Sequence, residues 1–126
     1  MVEKLKDKVI LIVDDDVRNR YALSSYLDMY DVRVFTASDG EAALNLLRSG
    51  KSVDLILLDI MMPVMDGYEM LRLLRSDESF KDIPVIAVTA RAMKGDDVKC
   101  LEAGATDYIA KPIDLKNFMS KMLKWL

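Results

Sequence analysis

Histidine is absent from this 126-residue sequence, and cysteine and tryptophan each occur once. No step of its chemistry can therefore use an imidazole from this chain. The single Cys100 cannot form an internal disulfide bond, and we interpret it as a small packing residue. No apolar run approaches the roughly 18 residues that span a bilayer. Residues 1–8 have mixed charge and lack the apolar core of a signal peptide. We therefore expect a cytoplasmic protein that does not associate with membranes.

The excess of charge is small as well. The net charge of −3 provides no electrostatic reason to expect direct binding to nucleic acid. Apolar residues make up 52% of the chain and charged residues 31%, as in an ordinary globular domain. With no linker, repeat or low-complexity segment, residues 1–126 are expected to form a single domain.

Five apolar segments alternate with amphipathic segments, which predicts an α/β fold of the (βα)5 type. Such alternation is typical of a parallel sheet with helices on both faces. The third segment is a continuous apolar run that ends in Asp59, as expected for a strand buried on both faces. Periodicity alone leaves the strand order open. The predicted strands are 9–13, 32–36, 53–59, 84–88 and 106–110.

Acidic residues precede most of the predicted helices, where we interpret them as N-caps: Asp16, Asp39, Asp66 and Asp114. Before the second helix, the spacing of Ser38 and Glu41 also predicts a capping box with Ser38 at the N-cap. The first helix carries apolar residues at roughly helical spacing: Val17, Tyr21, Leu23, Tyr26, Leu27 and Tyr30. The fourth helix, 93–103, has a thin apolar stripe, whereas the last helix has a clear one.

Chemically useful side chains follow four of the five predicted strands. Asp14 and Asp15 follow the first strand, Asp59 ends the third, and Thr89 and Lys111 follow the fourth and fifth. These strand ends lie at one edge of a parallel sheet, so the side chains converge if the strands are neighbours. Carboxylates that lie close together repel one another unless positive charge compensates them. One lysine and a Mg2+ ion with oxygen ligands would supply this positive charge. Carboxylate, lysine, hydroxyl and Mg2+ are the parts of a phosphoryl-transfer site, and carboxylates can accept phosphate covalently.

Five segments together resemble the response-regulator receiver domains of two-component signalling: 13–16, 57–67, 88–90, 104–108 and 111–112. The resemblance covers essentially the whole chain in the right order. It implies a flavodoxin-like three-layer sandwich with strand order 2-1-3-4-5. It also implies a phosphorylation-activated switch in a phosphorelay, which catalyses only its own phosphorylation and dephosphorylation.

The resemblance implies a metal site and a phosphoacceptor. Asp59 would accept the phosphoryl group in a Mg2+-dependent reaction. Asp15 would bind Mg2+ directly, and Asp14 would act mainly through a metal-bound water. Asp59 and the backbone carbonyl of Met61 would complete the protein's metal ligands.

The resemblance also implies which residues contact the phosphoryl group or take part in the switch that follows: Thr89, Ala90, Lys111 and Tyr108. Thr89 would move to donate to the phosphoryl group, and Tyr108 would fill the space that Thr89 leaves. The surface of the fourth helix, fifth strand and last helix would then change. The bond between Lys111 and Pro112 would be a cis peptide, and Met61 and Arg91 would occupy positions that tune the lifetime of the phosphoryl group.

Partner proteins are implied because receivers take phosphate from a phosphohistidine, which this chain lacks. The donor would be a sensor histidine kinase or a histidine phosphotransfer protein, and the target a downstream effector protein. The segments 18–19, 92–95 and 124–126 also look like receivers at the C-terminus of hybrid sensor kinases. The alternative to a stand-alone regulator is therefore a receiver segment of such a kinase.

Three other classes of protein fit the residues less well. A haloacid-dehalogenase-like phosphatase would need a second aspartate at the position of Met61. A flavodoxin-type FMN binder needs a phosphate loop after the first strand, where the aspartates 14–16 would repel a phosphate. A degenerate receiver that serves only for docking would lack some of the acidic residues, the threonine or the lysine, and all of these are present.

Overall fold

One parallel sheet organises the part of the chain that the computed structural model describes, residues 2–62, 66–89 and 96–126. Its strands are β1 (Val9–Val13), β2 (Arg33–Ala37), β3 (Leu55–Asp59), β4 (Val85–Thr89) and β5 (Asp107–Ala110). Their order is β2-β1-β3-β4-β5, with every neighbouring pair parallel. This result confirms the predicted fold class and the strand order that the resemblance implied.

Five α-helices connect or follow the strands in the described residues. They are α1 (Val17–Asp28), α2 (Gly40–Arg48), α3 (Gly67–Ser76), α4 (Asp96–Ala103) and α5 (Leu115–Trp125), and a short 3-10 helix (Val2–Leu5) precedes β1. Residues 93–95, predicted as the start of the fourth helix, lie outside the described residues. None of the described helices is long and apolar enough to cross a membrane.

Two apolar clusters cover the two faces of the sheet. One cluster packs α2, α3 and α4 against the sheet and includes the buried Cys100, as predicted for a packing residue. The other cluster packs α1 and α5 against the opposite face around the fully buried Phe118. Because helices cover both faces, every residue of β3 and β4 is buried. This burial explains the continuous apolar runs that predicted these strands.

The N-cap of α2 differs from one prediction. Asp39, rather than Ser38, is the N-cap, and its carboxylate accepts the N–H of Ala42 at 2.7 Å. A carboxylate at this position also meets the positive end of the helix dipole. The prediction of Ser38 in a capping box with Glu41 is therefore wrong by one residue. The four aspartates predicted as N-caps are all confirmed: Asp16, Asp39, Asp66 and Asp114.

The apolar stripe of α1 is narrower than its sequence suggests. Leu23 and Leu27 are buried, but Val17 is 64% exposed and Tyr21 75% exposed. At 100° per residue, the direction shared by Val17 and Tyr21 lies about 120° around the helix from the direction shared by the two leucines. A helix that lies on a sheet buries mainly one side, so the first two turns of α1 present the side chains of Val17 and Tyr21 to solvent.

Gly67, the first residue of α3, is expected to tolerate no side chain. A Cβ added there would lie 2.6 Å from the Ile60 Cα atom and 3.0 Å from the Asp59 carbonyl oxygen. Since both atoms belong to the backbone, α3 would have to move away from the end of β3. We expect Gly67→Ala to lower the free energy of unfolding by about 2 kcal/mol in urea denaturation. Alanine at the exposed Glu69 of the same helix is the control, and equal stability of the two variants would contradict the prediction.

Candidate functional site

The carboxyl ends of four adjacent strands form the candidate site. The register pairs Val13 with Leu58, Asp59 with Val88, and Thr89 with Ala110. The residues that follow β1 and β5 therefore flank the ends of β3 and β4. The predicted convergence of side chains is realised because β1, β3, β4 and β5 are consecutive in the sheet.

Three carboxylates form what we call the acidic cluster: Asp14, Asp15 and Asp59. One oxygen from each of them lies within 4.8 Å of the others. Asp14 and Asp59 are buried and Asp15 is exposed. Carboxylates at this separation repel one another, and a set of closely spaced oxygens is what a hard divalent cation binds. The donor set therefore fits Mg2+.

Lys111 provides the positive charge beside the acidic cluster. Its Nζ donates to Asp59 Oδ2 at 3.1 Å and lies 3.9 Å from Asp14 Oδ2. Burial alone would lower the pKa of the Lys111 ammonium, but the carboxylates of the acidic cluster raise this pKa above its ordinary value. Lys111 is thus held in its charged form. The peptide bond between Lys111 and Pro112 is cis.

Asp59 is the most enclosed carboxylate of the cluster, at 2% exposure. Its Oδ1 accepts the N–H of Met61 at 3.0 Å and its Oδ2 accepts from Lys111. Burial raises the pKa of Asp59 above its ordinary value, although the hydrogen bonds from Met61 and Lys111 oppose this shift. The Met61 side chain is exposed, while its peptide N–H ties the loop to the Asp59 carboxylate.

Asp14 is held by a set of contacts that sequence reasoning did not assign. Its Oδ1 accepts the N–H of Asp16 at 2.8 Å, and its Oδ2 accepts from Asn19 Nδ2 at 3.3 Å. The guanidinium of Arg20 donates to its carbonyl oxygen at 2.7 Å. A sequence signal could have suggested these partners. The signal is a pair of polar residues in the first turn of the helix that directly follows the aspartates at the end of a strand.

Thr89 and Tyr108 lie on one face of the sheet. Tyr108 pairs with Ala87, and Thr89 follows Ala87 by two residues, so both side chains point to the same side. Thr89 is 4% exposed, and its hydroxyl has no hydrogen-bond partner among the residues that the structure describes. The Tyr108 ring is half-buried against the cluster of α2, α3 and α4, and Lys121 Nζ lies 4.6 Å from the ring centre.

The remaining predicted site residues, Ala90 and Arg91, lie outside the described residues, as do residues 63–65 of the loop after β3. Two grooves open beside the acidic cluster. One groove lies next to Lys111 and α1, and the other is lined by Asp15, Met61 and residues of α3 and α4. The acidic cluster can thus be approached from solvent at the exposed Asp15.

The comparisons with known proteins agree with this geometry. The family described as response regulator receiver domain matches residues 10–123. The probable transcriptional regulator ycf27 of Guillardia theta is 43% identical over 117 residues, which are 93% of this chain and 44% of that protein. The chain spans less than half the length of this relative and of the ycf27 protein of Cyanophora paradoxa.

Two solved structures share the fold over nearly the whole chain. The receiver domain of the sensor histidine kinase PA1611 from Pseudomonas aeruginosa, with magnesium coordinated in its active-site cleft, is 35% identical with a TM-score of 0.82. The alignment covers 94% of this chain and 97% of that one. The receiver domain of Saccharomyces cerevisiae Ssk1, solved with the histidine phosphotransfer protein Ypd1, is 28% identical with a TM-score of 0.86. That alignment covers 96% of this chain and 90% of the other.

Proposed function

This chain belongs to the response regulator receiver domain family, and from that premise we propose that Asp59 is its phosphoacceptor. Receiver domains of response regulators are phosphorylation-activated signalling switches, and this is the function of the chain. One observation carries the assignment of Asp59. Its carboxylate ends the central strand, is buried within the acidic cluster and accepts a hydrogen bond from Lys111.

The proposed reaction needs little from the protein beyond position and charge. An oxygen of the Asp59 carboxylate would attack the phosphorus of a phosphohistidine, and the P–N bond would break with its electron pair returning to the donor imidazole. Lys111 is placed to contact the oxygens of the arriving phosphoryl group. The raised pKa of its ammonium favours the positive charge there before the phosphoryl group arrives.

We propose Mg2+ as the cofactor, held by Asp14, Asp15, Asp59 and the backbone carbonyl of Met61. Asp14 would act mainly through a metal-bound water, as the resemblance to receiver domains implies. When bound, Mg2+ would supply positive charge against the acidic cluster and the phosphoryl oxygens. The magnesium in the active-site cleft of the PA1611 receiver supports this proposal.

The proposed switch follows from the position of Thr89 and Tyr108. The Thr89 hydroxyl is available to donate to a phosphoryl oxygen on the adjacent strand end, which would draw Thr89 towards Asp59. The half-buried Tyr108 ring, on the same face of the sheet, could then move inward and change the surface of α4, β5 and α5. The contact assigned to Ala90, and the lifetime tuning assigned to Met61 and Arg91, stay predictions from the sequence.

The proposed partners are a phosphohistidine donor and a downstream effector protein. A sensor histidine kinase or a histidine phosphotransfer protein would be the donor, as supported by the Ssk1 receiver solved with Ypd1. Matches include a transcriptional regulator and a sensor kinase receiver, so they do not favour the hybrid-kinase alternative. We also propose that residues 1–126 form a single domain and that this domain catalyses only its own phosphorylation and dephosphorylation. A cytoplasmic location is a further proposal.

The test is the intact mass of the chain after incubation with a small phosphodonor. We expect one phosphoryl adduct that forms with Mg2+ and disappears when the metal is chelated. A chain that forms no adduct from a small phosphodonor would next be given a phosphorylated histidine phosphotransfer protein. Absence of an adduct from both donors would contradict the proposed function.

Replacement of Thr89 by alanine is expected to separate phosphorylation from the response. Because Asp59, Lys111 and the acidic cluster remain, the Thr89→Ala chain should still form the adduct. Without the hydroxyl, the change that phosphorylation causes in amide hydrogen exchange over α4 and β5 should fall by more than half. Thr89→Ser keeps the hydroxyl and should preserve the response. An alanine variant that responds like the wild type would refute the role of Thr89.

A further inference from the structure

We propose that Asn19 is a positioning residue for the metal site, acting through the carboxylate of Asp14. The inference rests on the proposed function, because it concerns the same acidic cluster. Asn19 lies in the first turn of α1, is half-buried, and donates from Nδ2 to Asp14 Oδ2 at 3.3 Å. It also lines the groove beside Lys111. Asn19 therefore stands at the boundary between the acidic cluster and solvent.

The backbone of Asp14 is fixed from both sides. Its N–H donates to the carbonyl oxygen of Ala37 at the end of β2, at 3.1 Å. Its carbonyl oxygen accepts from the Arg20 guanidinium at 2.7 Å. With the backbone held in this way, the main freedom left to Asp14 is rotation of its side chain.

Asn19 limits that rotation. One oxygen, Oδ1, is held by the N–H of Asp16 at 2.8 Å, and the other, Oδ2, is held by Asn19. Without the amide, the nearest cation to Oδ2 is Lys111 Nζ at 3.9 Å, which is too long for a hydrogen bond. Asp14 is 3% exposed, so bulk water would not readily replace the missing donor. The carboxylate would then turn away from the geometry in which the three oxygens of the cluster converge.

A neutral donor suits this position better than a charged one. Three carboxylates against the single ammonium of Lys111 leave two negative charges when all four groups are ionised, which matches a divalent cation. A lysine in place of Asn19 would orient Asp14 but would also cancel one of these charges. The amide orients the carboxylate and leaves its charge available to the metal. Mutation of a residue that donates a hydrogen bond to a metal ligand commonly lowers the metal affinity by about 10- to 100-fold.

The test measures Mg2+ binding directly, by calorimetric titration of the metal-free chain. Asn19→Leu keeps a similar volume and removes the donor, and we expect it to weaken Mg2+ binding about tenfold. Asn19→Gln retains an amide and should recover part of the affinity. The matched control is Asn117→Leu, which changes an exposed asparagine on α5 and should bind Mg2+ like the wild type.

A second measurement separates positioning from a general structural effect. The carboxyl carbon signal of Asp14 in the metal-free chain, observed by NMR, should shift in Asn19→Leu, while the signal of Asp54 at the opposite end of the sheet should not. Wild-type Mg2+ affinity in Asn19→Leu, or an unchanged Asp14 signal, would overturn the role of Asn19 and leave the proposed function intact. A wild-type chain without any phosphoryl adduct would instead refute the proposed function.

Discussion

Asp59→Asn is expected to abolish the phosphoryl adduct on the chain completely. Asparagine has nearly the shape of aspartate, but its neutral amide is not a nucleophile for phosphorus at neutral pH. The measurement is intact mass after incubation with a small phosphodonor and Mg2+. Asp66→Asn is the matched control: Asp66 caps α3 seven positions later, and asparagine caps a helix equally well. The control should form the adduct, whereas an adduct of equal extent on Asp59→Asn would place the acceptor elsewhere.

The stability of the metal-free Asp59→Asn chain would show whether the loss of the adduct is a loss of folding. Burial raises the pKa of Asp59 in the folded chain above its ordinary value of 3.8. The folded state therefore binds this proton more tightly than the unfolded state, and wild-type stability falls as pH rises from 3.8 through the folded pKa. Asparagine does not titrate, so the Asp59→Asn chain does not lose stability in this way as the pH rises. Above that range Asp59→Asn should be at least as stable as the wild type in urea denaturation, and the difference should shrink on acidification.

Lys111→Met is expected to lower the stability of the metal-free chain by about 2 kcal/mol. Removal of one partner from a buried ion pair commonly costs about 3–5 kcal/mol, because the other charge is left uncompensated. The Lys111 side chain is 27% exposed, so solvent screening reduces the expected cost below that range. Methionine matches the lysine side chain as far as the Cε atom and lacks only the ammonium group, so the effect is mainly that of the charge.

Added Mg2+ should restore most of the stability of Lys111→Met, because the divalent charge would compensate the same carboxylates. Urea denaturation with and without Mg2+ measures both parts of the prediction. Lys116→Met, at an exposed position in the first turn of α5, should change neither value. A loss of stability that Mg2+ does not reduce would show that Lys111 acts by packing and not by charge.

Several features of the fold followed from local sequence. The continuous run before Asp59 predicted a strand buried on both faces, and β3 is that strand. Aspartates 16, 66 and 114 were interpreted correctly as N-caps, because an N-cap depends on groups within one helical turn. Whether Ser38 or Asp39 is the N-cap of α2 depends on the residue at which the helix begins. The sequence locates that residue only to within one or two positions.

The order of the strands in the sheet could not be predicted from the local sequence pattern. Periodicity predicted that Asp14, Asp59, Thr89 and Lys111 end their strands, but not that these strands are neighbours. The resemblance to receiver domains supplied the order, and the pairing of the strands confirms it. The burial of α1 shows the same limit, since Val17 and Tyr21 belong to the apolar residues at helical spacing in the sequence but are exposed in the structure.

The sequence by itself determined the alternation of strands and helices, the acidic and basic residues at the strand ends, and the absence of a histidine donor. All of these depend on residue identity and short-range spacing. Only the tertiary structure decided the distances within the acidic cluster, the raised pKa of Asp59 and the hydrogen bond from Asn19 to Asp14. These properties depend on how far apart side chains lie and on how much water reaches them. Both are set by the packing of the whole chain.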